Sequence, residues 1–285
     1  MRYTFQQSTQ GELKLLQPAG DFAWSHKETQ QDVLYTILWN RGPDIYVYID
    51  NVRYFFPADH FLCLVVHQSF RLHAGGKVVI WQFNRDFYCI VDHDKEVSCV
   101  GFLFYGARDI FFINLKGNPQ FRNKMERLLS IFIEEFETKD STQGEMLRMQ
   151  LKYLIILLTR AAKEQFPPGI PDQDLDLVRR FNLLVEMHFR ELHQVQDYAK
   201  LLARSPKTLS NLFTIYNQKS PLQVIQERIF MEARRLLLYT DKNQGEITEE
   251  LGFTEPTHFS RFFRKMSGES PTAFRKECNK GKIDQ

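Results

Sequence analysis

The stretch SPKTLSNLFTIYNQKSP at 205–221 returns as EPTHFSRFFRKMSGESP at 255–271. Pro206, Ser210, Phe213, Ser220 and Pro221 recur 50 positions later as Pro256, Ser260, Phe263, Ser270 and Pro271, with no gap inside the copy. Leu209 and Leu212 become Phe259 and Phe262. Such a repeat constrains the fold strongly, because each copy must be one supersecondary unit that buries the same stripe in the same way. Ser205 suits a helix N-cap, and Pro206 suits the first helical position, where its missing N–H costs nothing. Leu209, Leu212 and Phe213, at i, i+3 and i+4, give one narrow apolar stripe, and Phe259, Phe262 and Phe263 give another. The polar segments NQK and SGE close the two helices, and Ser-Pro opens the next. Gly268 fits the left-handed position that ends the second copy, and Asn217 is the candidate for it in the first.

A short helix is predicted before each copy, VQDYAKLLAR before the first and GEITEELGF before the second, each ending at a turn. Two short helices joined by a tight turn, the second with an apolar back and a polar front, is the helix-turn-helix pattern, and it occurs twice. The first front carries Lys207, Ser210, Asn211 and Thr214; the second carries Thr257, His258, Ser260, Arg261, Arg264 and Lys265. Arg and Asn can pair bidentately with guanine and adenine edges, while Lys, Ser and Thr suit phosphates. One polar face alone is ordinarily a solvated surface; caps, stripe and exit repeated in register are not explained that way. Between the copies, PLQVIQERIFMEARRLLLYT reads as a long amphipathic helix that holds two reading heads at a fixed separation, addressing segments about one turn of DNA, ~10 bp, apart.

QFPPGIPDQD at 165–174 interrupts both helix and strand, so a linker is placed at 166–174. The part after residue 170 holds 18 basic and 16 acidic residues, yet 257–280 concentrates Arg261, Arg264, Lys265, Arg275, Lys276 and Lys280 against Glu269 and Glu277 alone. Residues 1–118 are expected to be a small β-barrel or sandwich, with IYVYID, FLCLVVHQSFRLH, KVVIWQF, FYCIVDHD and SCVGFLFYG as strands. Helical spacing sets in over 119–165, with Met125, Leu128, Leu129, Phe132 and Phe136 in one stripe and a second helix from Glu145 to about Gln165. These stripes either cover the sheet or pair with another subunit. Read as one strand, FLCLVVHQSFRLH puts His67, Ser69, Arg71 and His73 on one face, as candidates to hold a polar or anionic effector or as a solvent-facing edge of the sheet.

The segment LGFTEPTHFSRFFRKMSGESPTAFRK resembles the signature of the AraC/XylS family of bacterial transcription regulators almost end to end. That resemblance implies an α+β multidomain chain: a cupin-like β-barrel sensor with a helical dimerisation segment, then over 175–285 an all-α domain of seven helices with two helix-turn-helix units. It implies double-stranded DNA and RNA polymerase as partners, an activator role, a small-molecule or protein effector, and a homodimer. By position, Lys207, Ser210, Asn211, Thr257, His258 and Arg261 would meet base edges or flanking phosphates. The chain departs from the family pattern at Thr248, where a small Ala is usual, and at Gln244, where an apolar residue is usual. With Gly245 beside it, which weakens a helix by about 1 kcal/mol relative to Ala, the second head is expected to be held less firmly.

Other chemistries find little support in the residues. His60, His67, His73 and His93 form no HxH pair with a nearby Glu, as a metal-dependent cupin enzyme would need, so neither an enzyme nor a cofactor is expected. GFLFYG has the glycine spacing of a phosphate loop but continues as Ala107-Arg108, and reads as a strand. Four cysteines without a CxxC pair, no visible signal peptide and no apolar run near the ~20 residues of a membrane helix lead to the expectation of a cytoplasmic protein. An N-terminal half that serves only protein interaction or dimerisation is the remaining alternative.

Overall fold

The computed structural model describes residues 1–7, 10–24, 34–49, 52–66, 68–72, 77–90, 103–104, 110–115, 117–165, 172–216 and 219–280. The chain divides into two compact units, 1–170 and 171–285.

In the first unit ten described strands form two antiparallel sheets. One contains, in spatial order, β1 (Arg2–Gln6), β2 (Glu12–Leu16), β9 (Val78–Asn84), β4 (Leu34–Asn40), β7 (His60–Leu64) and β10 (Phe112–Asn114). The other contains β3 (Phe22–Trp24), β8 (Phe70–Leu72), β5 (Ile45–Ile49) and β6 (Val52–Phe56). Among the described residues the sheets face each other as a sandwich, and no hydrogen-bonded ladder closes them into a barrel. Leu34, Leu38, Leu62, Leu64, Val78 and Ile80 from the larger sheet meet Ile45, Val47, Ile49, Phe56, Phe70 and Leu72 from the smaller.

The other face of the larger sheet is covered by α1 (Pro119–Glu137), whose whole predicted stripe is buried. Trp39 stacks on Phe61 with ring centroids 5.2 Å apart, and Trp81 reaches Phe132 of α1 at 5.9 Å. This double covering explains why β4, LYTILWN, is buried at every position instead of alternating. The second helix, α2, runs Gln143–Lys163. Its first turn lies so close to β1 that a Cβ on Gly144 would come within 2.8 Å of the Phe5 ring, so a larger residue there would make the Phe5 side chain shift.

Two strand expectations are corrected. FLCLVVHQSFRLH is two strands in different sheets, because Gln68 N–H donates to the Val65 carbonyl and its side chain accepts from Val65 N–H, folding the chain over between β7 and β8. FYCIVDHD does not open as a strand: Phe87 lies in a turn, and Leu103 and Phe104 of SCVGFLFYG are helical, so the phosphate-loop look-alike is not a strand where it is described. Both segments are aromatic-rich, and their buried rings pack from outside the sheet, Phe104 against Tyr35 at 5.2 Å and Tyr88 against Phe83 at 6.2 Å. The remainder of these segments, His93 included, lies outside the described residues.

The second unit holds seven described helices: α3 (Asp172–His188), α4 (Val195–Leu201), α5 (Pro206–Tyr216), α6 (Pro221–Tyr239), α7 (Gln244–Glu250), α8 (Pro256–Ser267) and α9 (Pro271–Lys280). The long helix α6 opens on a capping box between Ser220 and Gln223. It buries Ile225, Ile229, Ala233, Leu236 and Leu237. Two aromatic clusters organise the unit. Phe181 of α3 meets Tyr198 at 5.4 Å and Phe213 at 4.9 Å. Phe263 meets Phe230 at 5.2 Å and Phe274 at 5.4 Å.

Candidate nucleic-acid interface

The repeat becomes two helix pairs, α4 with α5 and α7 with α8. Each supporting helix ends in the same way. In the first pair Ala203 N–H donates to Lys200 O and Arg204 N–H to Ala199 O; in the second Gly252 N–H donates to Glu249 O and Phe253 N–H to Thr248 O. Ala203 at φ 50 and Gly252 at φ 71 supply the left-handed residue. Each second helix then buries its predicted stripe: Leu209, Leu212 and Phe213 in α5, and Phe259 and Phe263 in α8, with Phe262 half-buried.

The pairs differ in the turn. The supporting helices end 49 residues apart (251 minus 202), whereas α5 and α8 begin 50 apart (256 minus 206), so the second turn has one residue more. Phe253 occupies the longer turn and packs on Phe259 at 5.6 Å, Phe262 at 5.3 Å and His193 at 4.9 Å. Burial lowers the His193 pKa below its ordinary 6.5, against the opposing effect of the Leu251 and Phe189 carbonyls, which favours the neutral ring against Phe253.

The polar fronts are open. Lys207, Ser210, Asn211 and Thr214 on α5, and Thr257, His258, Arg261, Arg264 and Lys265 on α8, are exposed. Among the described residues Lys207, Arg261, Arg264 and Lys265 enter no ion pair, so meeting a phosphate would not require breaking one. Ser260 differs: it is half-buried, and its hydroxyl accepts from Gln244 Nε2 at 2.5 Å, which makes it part of the contact between α7 and α8. Gln244 holds the second helix directly, and the buried Thr248 hydroxyl donates to Gln244 O at 2.7 Å. Arg275, at the edge of the basic cluster, instead caps α6, donating from Nε to Leu237 O at 3.1 Å.

The two N-caps are unequal. Ser205 Oγ accepts from Thr208 N–H at 3.0 Å, whereas Glu255 makes no side-chain cap bond and its carboxylate receives the Thr257 hydroxyl. Glu255→Ser is therefore expected to stabilise the second unit by ~0.5–1 kcal/mol, read as a raised denaturant midpoint.

A family profile described as a helix-turn-helix domain matches residues 198–277. This span takes in both turns and both exposed helices. Residues 198–277 form a helix-turn-helix domain. The chain is 33% identical over 106 residues to the transcriptional activator NphR of a Rhodococcus species, covering 37% of this chain and 30% of that protein. It is 29% identical over 104 residues to the regulator ExsA of Pseudomonas aeruginosa, covering 35% and 37% respectively. The chain thus spans about a third of the length of these two relatives. It is 24% identical over 199 residues to the regulatory protein PocR of Salmonella typhimurium, 63% of this chain and 65% of that one. Among solved structures, it is similar to the DNA-binding domain of AdpA in complex with a target DNA (28% identity, 35% of this chain and 90% of that chain, TM-score 0.32). It is also similar to fatty-acid-bound ToxT of Vibrio cholerae (17%, 93% and 94%, TM-score 0.43).

Of the candidate effector residues, Ser69 and Arg71 are among the described residues. Arg71 lies on the outer, exposed face of the smaller sheet with its guanidinium 5.4 Å from the Tyr48 ring, while its neighbours Phe70 and Leu72 point into the core. Ser69 precedes that strand, and His67 and His73 lie outside the described residues. His60 is buried, with Nδ1 2.8 Å from Ala58 O. Among the described residues no His, Cys, Asp and Glu group could hold a metal.

A different polar set occupies the sandwich interior. Lys14 of β2 lies opposite Gln82 of β9, which lies opposite Thr36 of β4. All three are buried; Lys14 pairs with Glu12 at 3.0 Å, and Gln82 Nε2 donates to Thr36 Oγ1 at 3.3 Å while its Oε1 has no partner among the described residues. ELKLL offered one signal, a charged residue between apolar ones at strand spacing.

Proposed function

We propose that the protein is a sequence-specific transcription regulator whose helices α5 and α8 read successive major-groove segments of double-stranded DNA. The observation that carries this is the pair of capped or proline-started helices with buried apolar backs and exposed fronts. Lys207, Ser210 and Asn211 face outward on one, and Thr257, His258, Arg261, Arg264 and Lys265 on the other. Cations without ion-pair partners supply backbone attraction, and Asn211 and Arg261 supply candidate base contacts. Ser260 serves this surface by fixing α8 on α7. With no helix long and apolar enough to cross a membrane among the described residues, the reading is a regulator acting in the cytoplasm. Activation through RNA polymerase, homodimerisation through the helical segment 119–165 and a cupin-like sensing role for 1–118 belong to the same reading; the Rhodococcus relative is itself named an activator.

Effector control is better supported by the sandwich interior than by Arg71. A buried Gln82 acceptor with no partner among the described residues, next to the Thr36 hydroxyl and the Lys14–Glu12 pair, is costly unless an ordered water or a donor-bearing ligand satisfies it.

The test is selection of the full chain against a random duplex library, with sequencing of what is retained. One asymmetric site with two informative blocks about one helical turn, ~10 bp, apart is expected. A single block would restrict base reading to one helix, and no enrichment would overturn the proposal. Within the selected site, Arg261→Ala is expected to cost ~1–3 kcal/mol and to relax preference at one base position. An even loss over all sequences would make Arg261 a phosphate contact.

A further inference from the structure

The second unit contains a buried ionic hub that the DNA-facing surface does not use. Glu232, midway along α6, is 1% exposed, and its carboxylate receives three arginines. Oε1 accepts from Arg190 at 2.6 Å and Arg235 at 2.8 Å; Oε2 accepts from Arg228 at 3.3 Å. Arg228 also grips Glu186 of α3 with two bonds, of 2.5 and 3.1 Å, and lies 3.7 Å over the Phe189 ring. Arg190 sits 4.8 Å from the same ring. The hub thus clamps the end of α3 and the following loop onto α6.

That loop touches the second helix pair, and α3 touches the first. The Arg190 carbonyl lies where a Cβ on Gly252 would be, 1.8 Å from it, and His193 packs on Phe253 at 4.9 Å. Midway along α3, Phe181 packs on Phe213 of α5 at 4.9 Å. α3 and the loop that follows it therefore meet one pair each, and the way both are held on α6 bears on how the pairs are placed relative to each other. A greasy contact would hold the two helices together equally well, since burying charge costs desolvation that pairing barely repays. A planar guanidinium held by two bonds fixes direction as well, which an apolar contact does not.

Resting on the reading of two DNA-contacting helices, we infer that Glu232 is a positioning residue: with Arg190 and Arg228 it fixes the separation and angle of α5 and α8, and so sets the spacing of DNA blocks the protein accepts. The experiment measures the affinity of the full chain for the selected duplex, for versions with one base pair inserted or deleted between the blocks, and for each block alone. The unaltered chain, Glu232→Gln and Arg190→Ala are compared. Arg190 is 46% exposed and leaves Glu232 two other arginines, so that variant is informative even where Glu232→Gln does not fold. The expected result is a spacing penalty reduced by about tenfold in the variants, with single-block affinities within about twofold of the original. A penalty that persists unchanged in folded variants overturns the positioning role alone, and so does a uniform loss on every duplex. Absence of any spacing penalty in the unaltered chain overturns both this role and the two-helix reading.

Discussion

Gly252→Ala is expected to destabilise the second helix pair by roughly 3 kcal/mol or more, a severe effect for a single methyl group. The added Cβ would lie 1.8 Å from the Arg190 carbonyl oxygen and 3.0 Å from its carbon. Both are backbone atoms, so no side-chain rotation relieves the contact. Its φ of 71 adds the ordinary cost of a left-handed residue. Ala203, which ends the other supporting helix at φ 50, already carries a Cβ. Ala203→Gly exchanges left-handed strain for backbone entropy, and is expected to change stability by less than about 1 kcal/mol. Hydrogen exchange over 244–280 in Gly252→Ala and over 195–216 in Ala203→Gly checks the contrast; protection of 244–280 unchanged in Gly252→Ala would mean the turn can move off Arg190 freely.

The second large effect concerns the aromatic centre of each pair. Phe263 is fully buried between Phe230 of α6 and Phe274 of α9, and Phe263→Ala is expected to cost ~3–5 kcal/mol. Phe213 is its counterpart fifty residues earlier, buried against Phe181, and Phe213→Ala should cost a similar ~3–5 kcal/mol. The functional consequences should be opposite. In duplex selection Phe263→Ala is expected to keep the block read by α5 and lose the one read by α8, and Phe213→Ala the reverse. Loss of both blocks in either variant would show that the pairs do not fold as separable lobes around α6.

The helical half was the more legible in sequence because its information is local. Caps, a 3.6-residue stripe and a closing glycine all act within one turn or two, so Ser205, Leu209, Phe213 and Gly268 stand where their spacing placed them. The stripe from Met125 to Phe136 was equally plain. The sandwich was harder to read because strand partners are remote. Nothing between His60 and Leu72 announces that the chain changes sheets, although the alternation that sets Arg71 opposite Phe70 and Leu72 holds within β8. Burial on both sides also erased the alternation of β4. Of the DNA-facing candidates, Ser260 is half-buried and bonded across to the neighbouring helix. Its partner Gln244 was noticed only as an irregularity, because a hydrogen bond across 16 residues leaves no periodic trace.

The additional residue in the 252–255 turn bears on how the two halves of this duplication can be exchanged. A cassette cut at the ends of the supporting helices would carry across a turn of the wrong length and set the incoming helix out of phase with its bed. One cut inside the 50-residue register, from Pro206 or Pro256 onward, leaves each turn with its own partner: Phe253 with His193, and the short turn with Ser205. Chimaeras that transplant base preference between the halves should therefore be joined at the prolines.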